Sequence, residues 1–182
     1  MGEDVAKPQL RDDAATARHL VVMGVAGTGK TSIGRAVAEH LGAAFVEGDE
    51  FHPKANIEKM SSGIPLNDDD RRPWLETLAG KIQDLDAQGE RSVTACSALR
   101  RLYRDWLRQG HPELFFVHLH ADYDVLLDRM QKRDHFMPPS LLQSQFDTLE
   151  MLEDDEAGVV IDVRVPIDDV VREALAGIRA AR

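Results

Sequence analysis

The octapeptide GVAGTGKT, from Gly24 to Thr31, constrains the fold of this chain more than any other segment. It matches the pattern G-x-x-x-x-G-K-[ST] and lies between an apolar run and an amphipathic segment, the strand-then-helix context that the pattern requires. Glycines in such a loop let backbone N–H groups surround a phosphate, while the lysine reaches the transferred phosphoryl group. The segment therefore predicts an α/β domain that binds ATP or GTP.

Apolar runs and amphipathic stripes alternate along the rest of the chain. The apolar runs cover residues 19–25, 43–49, 92–97, 114–120 and 158–163. The stripes that predict helices are Ile33, Val37 and Leu41; Trp74, Leu78, Ile82 and Leu85; Leu99, Leu102, Tyr103, Trp106 and Leu107; Leu142, Phe146 and Leu149; and Val171, Ala174, Leu175 and Ile178. This alternation predicts a five-stranded parallel sheet with helices on both faces, and ligands at the carboxyl ends of the strands.

Length, charge and cysteine content exclude several other classes of protein. The 182 residues fit a single domain over residues 18–182, after a tail of residues 1–17 that lacks an apolar period. A net charge of -10 argues against a general nucleic-acid surface, and the apolar runs are too short to span a membrane. The single thiol, Cys96, cannot form an internal disulfide, so we expect a cytoplasmic protein.

Acidic residues follow the second predicted strand. Glu47 and Asp49 stand two residues apart, on one face, where a parallel sheet brings them beside the phosphate loop. Asp49 is suited to orient or deprotonate an acceptor hydroxyl, and Thr31 to bind Mg²⁺ with water-mediated help from Glu47 or Asp49. His52 follows closely and is a candidate substrate contact. The alternative, a pair of solvated loop acids, is less consistent with this position after a strand.

The segment NDDDRRPW, residues 67–74, combines a helix start with candidate substrate cations. Asn67 is a suitable N-cap, and Asp68 to Asp70 then favour the first helical turn through the helix dipole. Arg71, Arg72 or both are candidates to face the pocket. Upstream, Pro53 predicts the start of a short helix that runs through Met60.

Two further basic groups are candidates for binding anions. Arg100 and Arg104 are four residues apart, with Tyr103 adjacent. This spacing predicts one helix face that is able to hold an anionic substrate. Arg101 and Arg108 are assigned to a solvated basic face.

The segment RMQKRDHFMPP, residues 129–139, ends a helix and breaks at its two prolines. It predicts a lid whose cations are Arg129, Lys132 and Arg133. The spacing of His and Cys residues does not indicate a metal site.

Two uses of the bound nucleotide are compatible with these residues. Phosphoryl transfer needs an acid near the acceptor hydroxyl, cations on the transferred group and a lid against water, and the candidates above supply all three. A nucleotide switch or sensor would need none of them. From spacing alone, the chain is therefore predicted to be a kinase for a small hydroxyl-bearing molecule that is anionic.

Four blocks together resemble the small P-loop gluconokinases, which phosphorylate D-gluconate with ATP. They are GVAGTGKT, GDEFHPKANIEKMSSGIPLNDDDRRPWL, CSALRRLYRDWLR and HFMPPSLLQSQFDTLE, and the resemblance extends from about Leu20 to the C-terminus. It implies a three-layer fold of the nucleoside-monophosphate-kinase type, related to shikimate kinase and adenylylsulfate kinase. It also implies a substrate-binding region at about 49–75, a lid at about 129–140, and a homodimer. Another small-metabolite kinase, for shikimate or a related sugar acid, is the alternative within enzymes.

The resemblance assigns roles residue by residue. The residues implied to bind ATP are Gly24, Gly27, Thr28, Gly29, Lys30, Thr31 and Ser32, with Arg129 as a lid cation and the turn Arg164 to Pro166 beside adenine. Those implied to contact gluconate are Asp49, His52, Arg71, Tyr103, Arg104 and His135. Lys30, Asp49 and Arg133 are the implied catalytic residues.

Two departures from the family pattern bear on these roles. Family members often carry a Lys-Gly pair before the lid histidine, whereas this chain has Asp134 there, in the segment KRDHF. Which basic residue contacts the γ-phosphate is therefore left open. Cys96 and Ser97 stand where a Walker-B aspartate would follow the third strand.

Overall fold

Five parallel strands form one sheet in the order β2-β3-β1-β4-β5 in the computed structural model, which describes residues 17–132 and 138–181. The strands are β1 (His19–Met23), β2 (Ala44–Glu47), β3 (Ser92–Ala95), β4 (Phe115–His120) and β5 (Gly158–Asp162). All five predicted strands are confirmed, and no strand end differs from the prediction by more than two residues. The central strand β1 is buried along its whole length, as its continuous apolar run predicts.

Seven α-helices among the described residues cover the sheet. They are α1 (Lys30–Leu41), α2 (Lys54–Ser61), α3 (Asp68–Ala87), α4 (Arg101–Leu107), α5 (Tyr123–Gln131), α6 (Pro139–Thr148) and α7 (Ile167–Ala180). Helix α1 contacts α7, and α3 contacts α4. The connection from β1 to β2 crosses the sheet in one direction, and the connections from β2 to β3 and from β3 to β4 cross it in the other. Because parallel crossovers are right-handed, α1 and α7 lie on one face of the sheet, and α3 and α4 lie on the other.

The ends of the helices confirm one predicted signal and correct two others. Asn67 accepts a hydrogen bond from the backbone N–H of Asp70 at 2.8 Å, and Asp70 accepts one from the N–H of Asn67 at 3.0 Å, so the predicted cap is a reciprocal capping box. Pro139 opens α6 instead of only breaking a helix, because proline fits the first helical turn. Arg100 lies outside α4, in an extended conformation.

None of the helices in the described ranges is both long and apolar enough to cross a bilayer. The predicted tail, apart from Ala17, lies outside the described residues, as do Arg133 and His135.

Candidate active site

The phosphate loop between β1 and α1 has a conformation that depends on its glycines. Gly24 has φ 145°, and a Cβ at this position would stand 2.4 Å from the carbonyl oxygen of Leu119. Gly27 and Gly29 have φ values of 84° and 91°, in the left-handed region that favours glycine. The Thr28 hydroxyl donates to the carbonyl oxygen of Val25 at 3.0 Å. The loop is therefore shaped by its own residues and by close contact with β4.

Lys30 and Thr31, the first residues of α1, stand at the rim of this loop. The Lys30 ammonium donates to the carbonyl oxygens of Gly24 at 2.9 Å and Val25 at 3.0 Å, and burial lowers the pKa of this group. The Thr31 hydroxyl donates to the Glu47 carboxylate at 2.5 Å. A hydroxyl and a carboxylate at this distance are oxygen ligands of the kind that Mg²⁺ prefers, so the residues present fit that ion.

A cavity of about 390 Å³ extends from the phosphate loop to the acceptor candidates. Lys30 and Thr31 line it on one side, and Asp49, His52 and Arg71 line it on the other. Its volume is within the usual range for a small-molecule site. The structure therefore brings together five residues that were predicted as candidates from three separate sequence segments.

His52 is fixed in one orientation and one tautomer. Its ring stacks on Trp74 at 3.9 Å between centroids, and the Asn56 amide N–H donates to its Nδ1 at 3.2 Å. Burial, aided by the nearby positive charge of Arg71, lowers the pKa of His52 to about 4. The ring is therefore neutral at pH 7, with its proton on Nε2, which lies 4.0 Å from Asp49 Oδ1.

Asp49 lies in a 3-10 turn, Gly48–Phe51, that follows β2. Its side chain is 74% exposed and open to the cavity, and its backbone N–H faces Glu47 Oε1 at 3.4 Å. Gly48 permits this turn, since a Cβ there would stand 2.3 Å from the carbonyl oxygen of Ala95. Trp74 donates its indole N–H to the carbonyl oxygen of Gly48 at 2.8 Å, which anchors the turn to α3.

Arg71 is held in place by a network that includes Tyr103. Its guanidinium donates to the Tyr103 hydroxyl at 2.9 Å, and that hydroxyl donates to the Asp68 carboxylate. Arg100 donates to the other oxygen of Asp68 at 2.7 Å, and the Tyr103 and Arg100 hydrogen bonds lower the pKa of Asp68. Asp68 therefore does more than start a helix. Tyr103, predicted as a substrate contact, is not among the residues that line the cavity, and it acts on the cavity by orienting Arg71, which does line it.

Arg104 does not line the cavity, which corrects its assignment as a substrate contact. Its side chain is 0% exposed and pairs with Glu156 through two hydrogen bonds, of 2.6 Å and 3.0 Å. Its remaining N–H groups donate to backbone carbonyls, so all five donors of the guanidinium are used. Burial raises the pKa of Glu156, but hydrogen bonds from Arg104 and Arg108 outweigh it and bring the pKa to about 2.

The other arginines of this segment are also paired with acids of the chain. Arg108 donates to Glu156 at 2.5 Å and is only 14% exposed, which contradicts its assignment to a solvated face. Arg101 is more exposed and pairs with Glu153 at 2.6 Å and Asp155 at 2.7 Å. The four-residue spacing fails as a predictor because Arg100 precedes the helix. Arg100 pairs with Asp68, whereas Arg104 pairs with Glu156.

The described part of the predicted lid is linked to the turn that precedes α7. Arg129, near the end of α5, donates to the carbonyl oxygen of Val163 at 2.5 Å, and Pro166 is the N-cap of α7. Lys132 pairs with Asp128 at 2.9 Å on the surface. Arg133 and His135 lie outside the described residues, so their predicted roles stay predictions.

Sequence reasoning missed two contributors to the site. Trp74 was predicted only as part of a helical stripe, yet it lines the cavity and supports both His52 and Gly48. Gln145 of α6 accepts a hydrogen bond from the backbone N–H of Ala26 at 2.7 Å, which couples α6 to the phosphate loop. Neither residue belongs to a chemical motif, and only their neighbours in space reveal them.

Cys96, at the position of a Walker-B aspartate, is unsuited to bind Mg²⁺. Burial raises the pKa of its thiol to about 12, so it stays protonated at pH 7. The pair Thr31 and Glu47 is the better candidate.

Several known proteins that are similar to this chain are kinases. The shikimate kinase family model matches residues 26–163. A thermosensitive gluconokinase of Escherichia coli is 46% identical over 164 residues, covering 89% of this chain and 88% of that protein. A crystal structure of a gluconokinase from Sinorhizobium meliloti has a TM-score of 0.82 and 51% identity, covering 90% of this chain and 93% of that chain. An unliganded crystal structure of a sugar kinase from a Janibacter species has a TM-score of 0.86 and 49% identity, covering 91% and 96%.

Proposed function

The chain belongs to the gluconokinase family, and we propose that the cavity beside its phosphate loop transfers the γ-phosphoryl group of ATP to the C6 hydroxyl of D-gluconate. The product is 6-phospho-D-gluconate. The observation that supports this assignment best is that Asp49 and His52 line the same cavity as Lys30 and Thr31. An acceptor group and a phosphate-binding group are thus close enough to serve one reaction.

On the phosphate side, the loop from Gly24 to Ser32 binds the phosphates of ATP through its backbone N–H groups. Lys30 contributes positive charge where negative charge develops during transfer, from a position already fixed by two carbonyl contacts. Thr31 and Glu47 would hold Mg²⁺, directly or through water. When bound, this ion neutralises phosphate charge, as in other phosphoryl transfers.

On the acceptor side, Asp49 orients the C6 hydroxyl and accepts its proton as the bond to phosphorus forms. His52 carries its proton on Nε2 and therefore donates a hydrogen bond toward Asp49 or a gluconate hydroxyl. Arg71 contributes a positive charge for the anionic acceptor, with Tyr103 and Asp68 fixing its orientation. Because transfer proceeds through a loose transition state, positioning matters more than the strength of the base.

Arg129, Arg133 and His135 belong to the proposed lid. Arg129 already joins the end of α5 to the turn that includes Pro166, which is the proposed adenine side of the nucleotide site. A lid over this position would exclude water from the transferred group.

A coupled assay of ADP release tests the proposed substrate. The chain is supplied with Mg²⁺ and ATP, and with D-gluconate, other sugar acids, shikimate or nucleoside monophosphates in turn. We expect rapid ADP release with D-gluconate and a phosphate ester on C6 by phosphorus NMR. Release with D-gluconate that equals release in buffer would refute the assignment, and preferential release with shikimate would favour the alternative.

We also propose that the chain works as a homodimer in the cytoplasm, without a nucleic-acid or membrane partner. The net charge of -10 disfavours polyanionic partners, and the single thiol fits a reducing compartment. Sedimentation velocity over a range of protein concentrations tests the dimer, and a constant monomer mass would contradict it.

A further inference from the structure

A second cluster of chemically reactive side chains lies at the opposite end of β1 from the phosphate loop. It consists of His19 at the start of β1, Asp86 near the end of α3, and His111 in the connection between α4 and β4. One ring nitrogen of each histidine and one carboxylate oxygen of Asp86 lie within 4.8 Å of one another. Three residues far apart in sequence are thus brought to one point.

His19 is already oriented as a ligand would be. Its Nε2 donates to Asp86 Oδ1 at 2.8 Å, and its Nδ1 is 2.8 Å from the hydroxyl of Ser92, the neighbouring first residue of β3. Ser92 is fully buried, and its hydroxyl can donate to Nδ1 or accept from an Nδ1–H. It therefore supports either tautomer, including the one in which Nε2 has no proton and can bind a metal.

His111 has a ring nitrogen that makes no hydrogen bond to the described residues. Its Nε2 is buried and has no hydrogen-bond partner among the described residues. Its ring lies against that of His19, with 5.0 Å between centroids and 58° between planes. An unpartnered buried nitrogen is unfavourable, because it has lost its contacts with water and gained none in return. A cation between these three side chains would supply the missing contact.

We propose that His19, Asp86 and His111 bind one divalent transition-metal ion of the zinc class. Two imidazoles and a carboxylate suit zinc and its neighbours, and do not suit Mg²⁺, which prefers oxygen ligands. The three candidate ligand atoms lie within 4.8 Å of one another. Because zinc binds its nitrogen ligands at about 2.0–2.1 Å, we expect the ion to draw the three side chains closer together. The Asp86 side chain is 43% exposed, so water can complete the coordination.

The bound ion would join three elements that meet at this end of β1. It would link the first strand, the end of the longest described helix and a surface connection, and would stabilise the folded chain because the unfolded chain lacks the site. One feature opposes binding: the Arg18 guanidinium lies 3.7 Å from Asp86 Oδ1 and competes for the carboxylate. We therefore expect binding weaker than in a four-ligand structural site.

Titration with Co²⁺ and Zn²⁺ tests the site on the full chain after treatment with a chelator and without nucleotide. We expect one Co²⁺ per chain with visible ligand-field absorption, displacement by Zn²⁺, and a melting temperature that rises with metal concentration. His111→Ala and Asp86→Asn should each weaken binding by more than about tenfold. His40→Ala, which removes an exposed histidine of α1, is the matched control and should bind like the wild type.

The outcomes separate this site from the active site. Activity with Mg²⁺ and ATP should be unchanged in His111→Ala, because the cluster lies at the other end of β1 from the phosphate loop. Absence of Co²⁺ and Zn²⁺ binding to the wild type would overturn the proposal. Unchanged binding by folded His111→Ala and Asp86→Asn variants would do so equally.

Discussion

The two walls of the cavity are built in different ways. The phosphate wall, Gly24 to Ser32, is one continuous segment whose shape depends on its own glycines. The acceptor wall combines Asp49 and His52 with Arg71 and Trp74, and two of these side chains depend on partners elsewhere: Arg71 on Tyr103 and His52 on Asn56. A local motif is therefore enough to identify a phosphate site, whereas an acceptor site requires correct packing of several elements.

The difference predicts that changes in the acceptor wall alter turnover or gluconate binding and leave ATP binding intact. Four experiments examine the acceptor wall and the residues predicted to belong to it, beginning with the largest expected effect.

Asp49→Asn should lower kcat by about 10²–10⁴-fold, because the variant cannot accept the hydroxyl proton and its amide group positions the hydroxyl less well. Affinity for ATP, measured by calorimetry, should match that of the wild type. Glu50→Gln, an exposed change in the same turn, is the control and should keep full turnover. Wild-type turnover in Asp49→Asn would remove this residue from the chemistry, and a parallel loss of ATP affinity would show that the walls are not separate.

Arg104→Met tests whether this arginine belongs to the acceptor wall or only to the core. We expect a loss of about 3–5 kcal/mol in the free energy of unfolding, since Glu156 would remain buried without its main partner. Urea unfolding measures it. The double variant Arg104→Met, Glu156→Gln should recover part of the loss. At temperatures where the variant is folded, the KM for gluconate should stay unchanged, and a selective rise would restore Arg104 as a substrate contact.

Tyr103→Phe removes the hydroxyl that positions Arg71 and donates to Asp68. Because a hydrogen bond to a charged group contributes about 1.5–3 kcal/mol, we expect the KM for gluconate to rise roughly tenfold or more, with a smaller effect on kcat and none on the KM for ATP. Tyr123→Phe, at the start of α5, is the control. Equal effects of the two variants would mean that Tyr103 has no positioning role.

The pH dependence of stability tests the environment of His52. Its pKa falls from 6.5 to about 4 on folding, so between these values the unfolded chain binds the additional proton. Stability should therefore decrease as pH falls from about 6.5 toward 4, with a contribution from His52 of at most about 1.4 kcal/mol per pH unit. Urea unfolding of His52→Gln should show a shallower decrease. An identical slope in the two proteins would mean that His52 does not contribute to the decrease in stability.

Arg71 and Arg104 differ in a way that the sequence does not reveal. Both are buried arginines that the sequence marks as substrate contacts. Arg71 contacts a neutral hydroxyl and lines the cavity, while Arg104 pairs with Glu156, more than fifty residues later in the chain. Helical spacing cannot distinguish them, since it contains no information about a partner so distant in sequence.

The sequence by itself determined the alternating elements, the phosphate loop, the cap at Asn67 and the position of Asp49 after a strand. These depend on local periodicity, on glycine conformations and on the geometry of one strand end, which neighbouring residues suffice to define. Only the tertiary structure decided which arginine faces the cavity, that Trp74 supports His52, and that His19, Asp86 and His111 meet. Those outcomes depend on contacts between residues far apart in the chain, whose distances are set when the helices pack on the sheet.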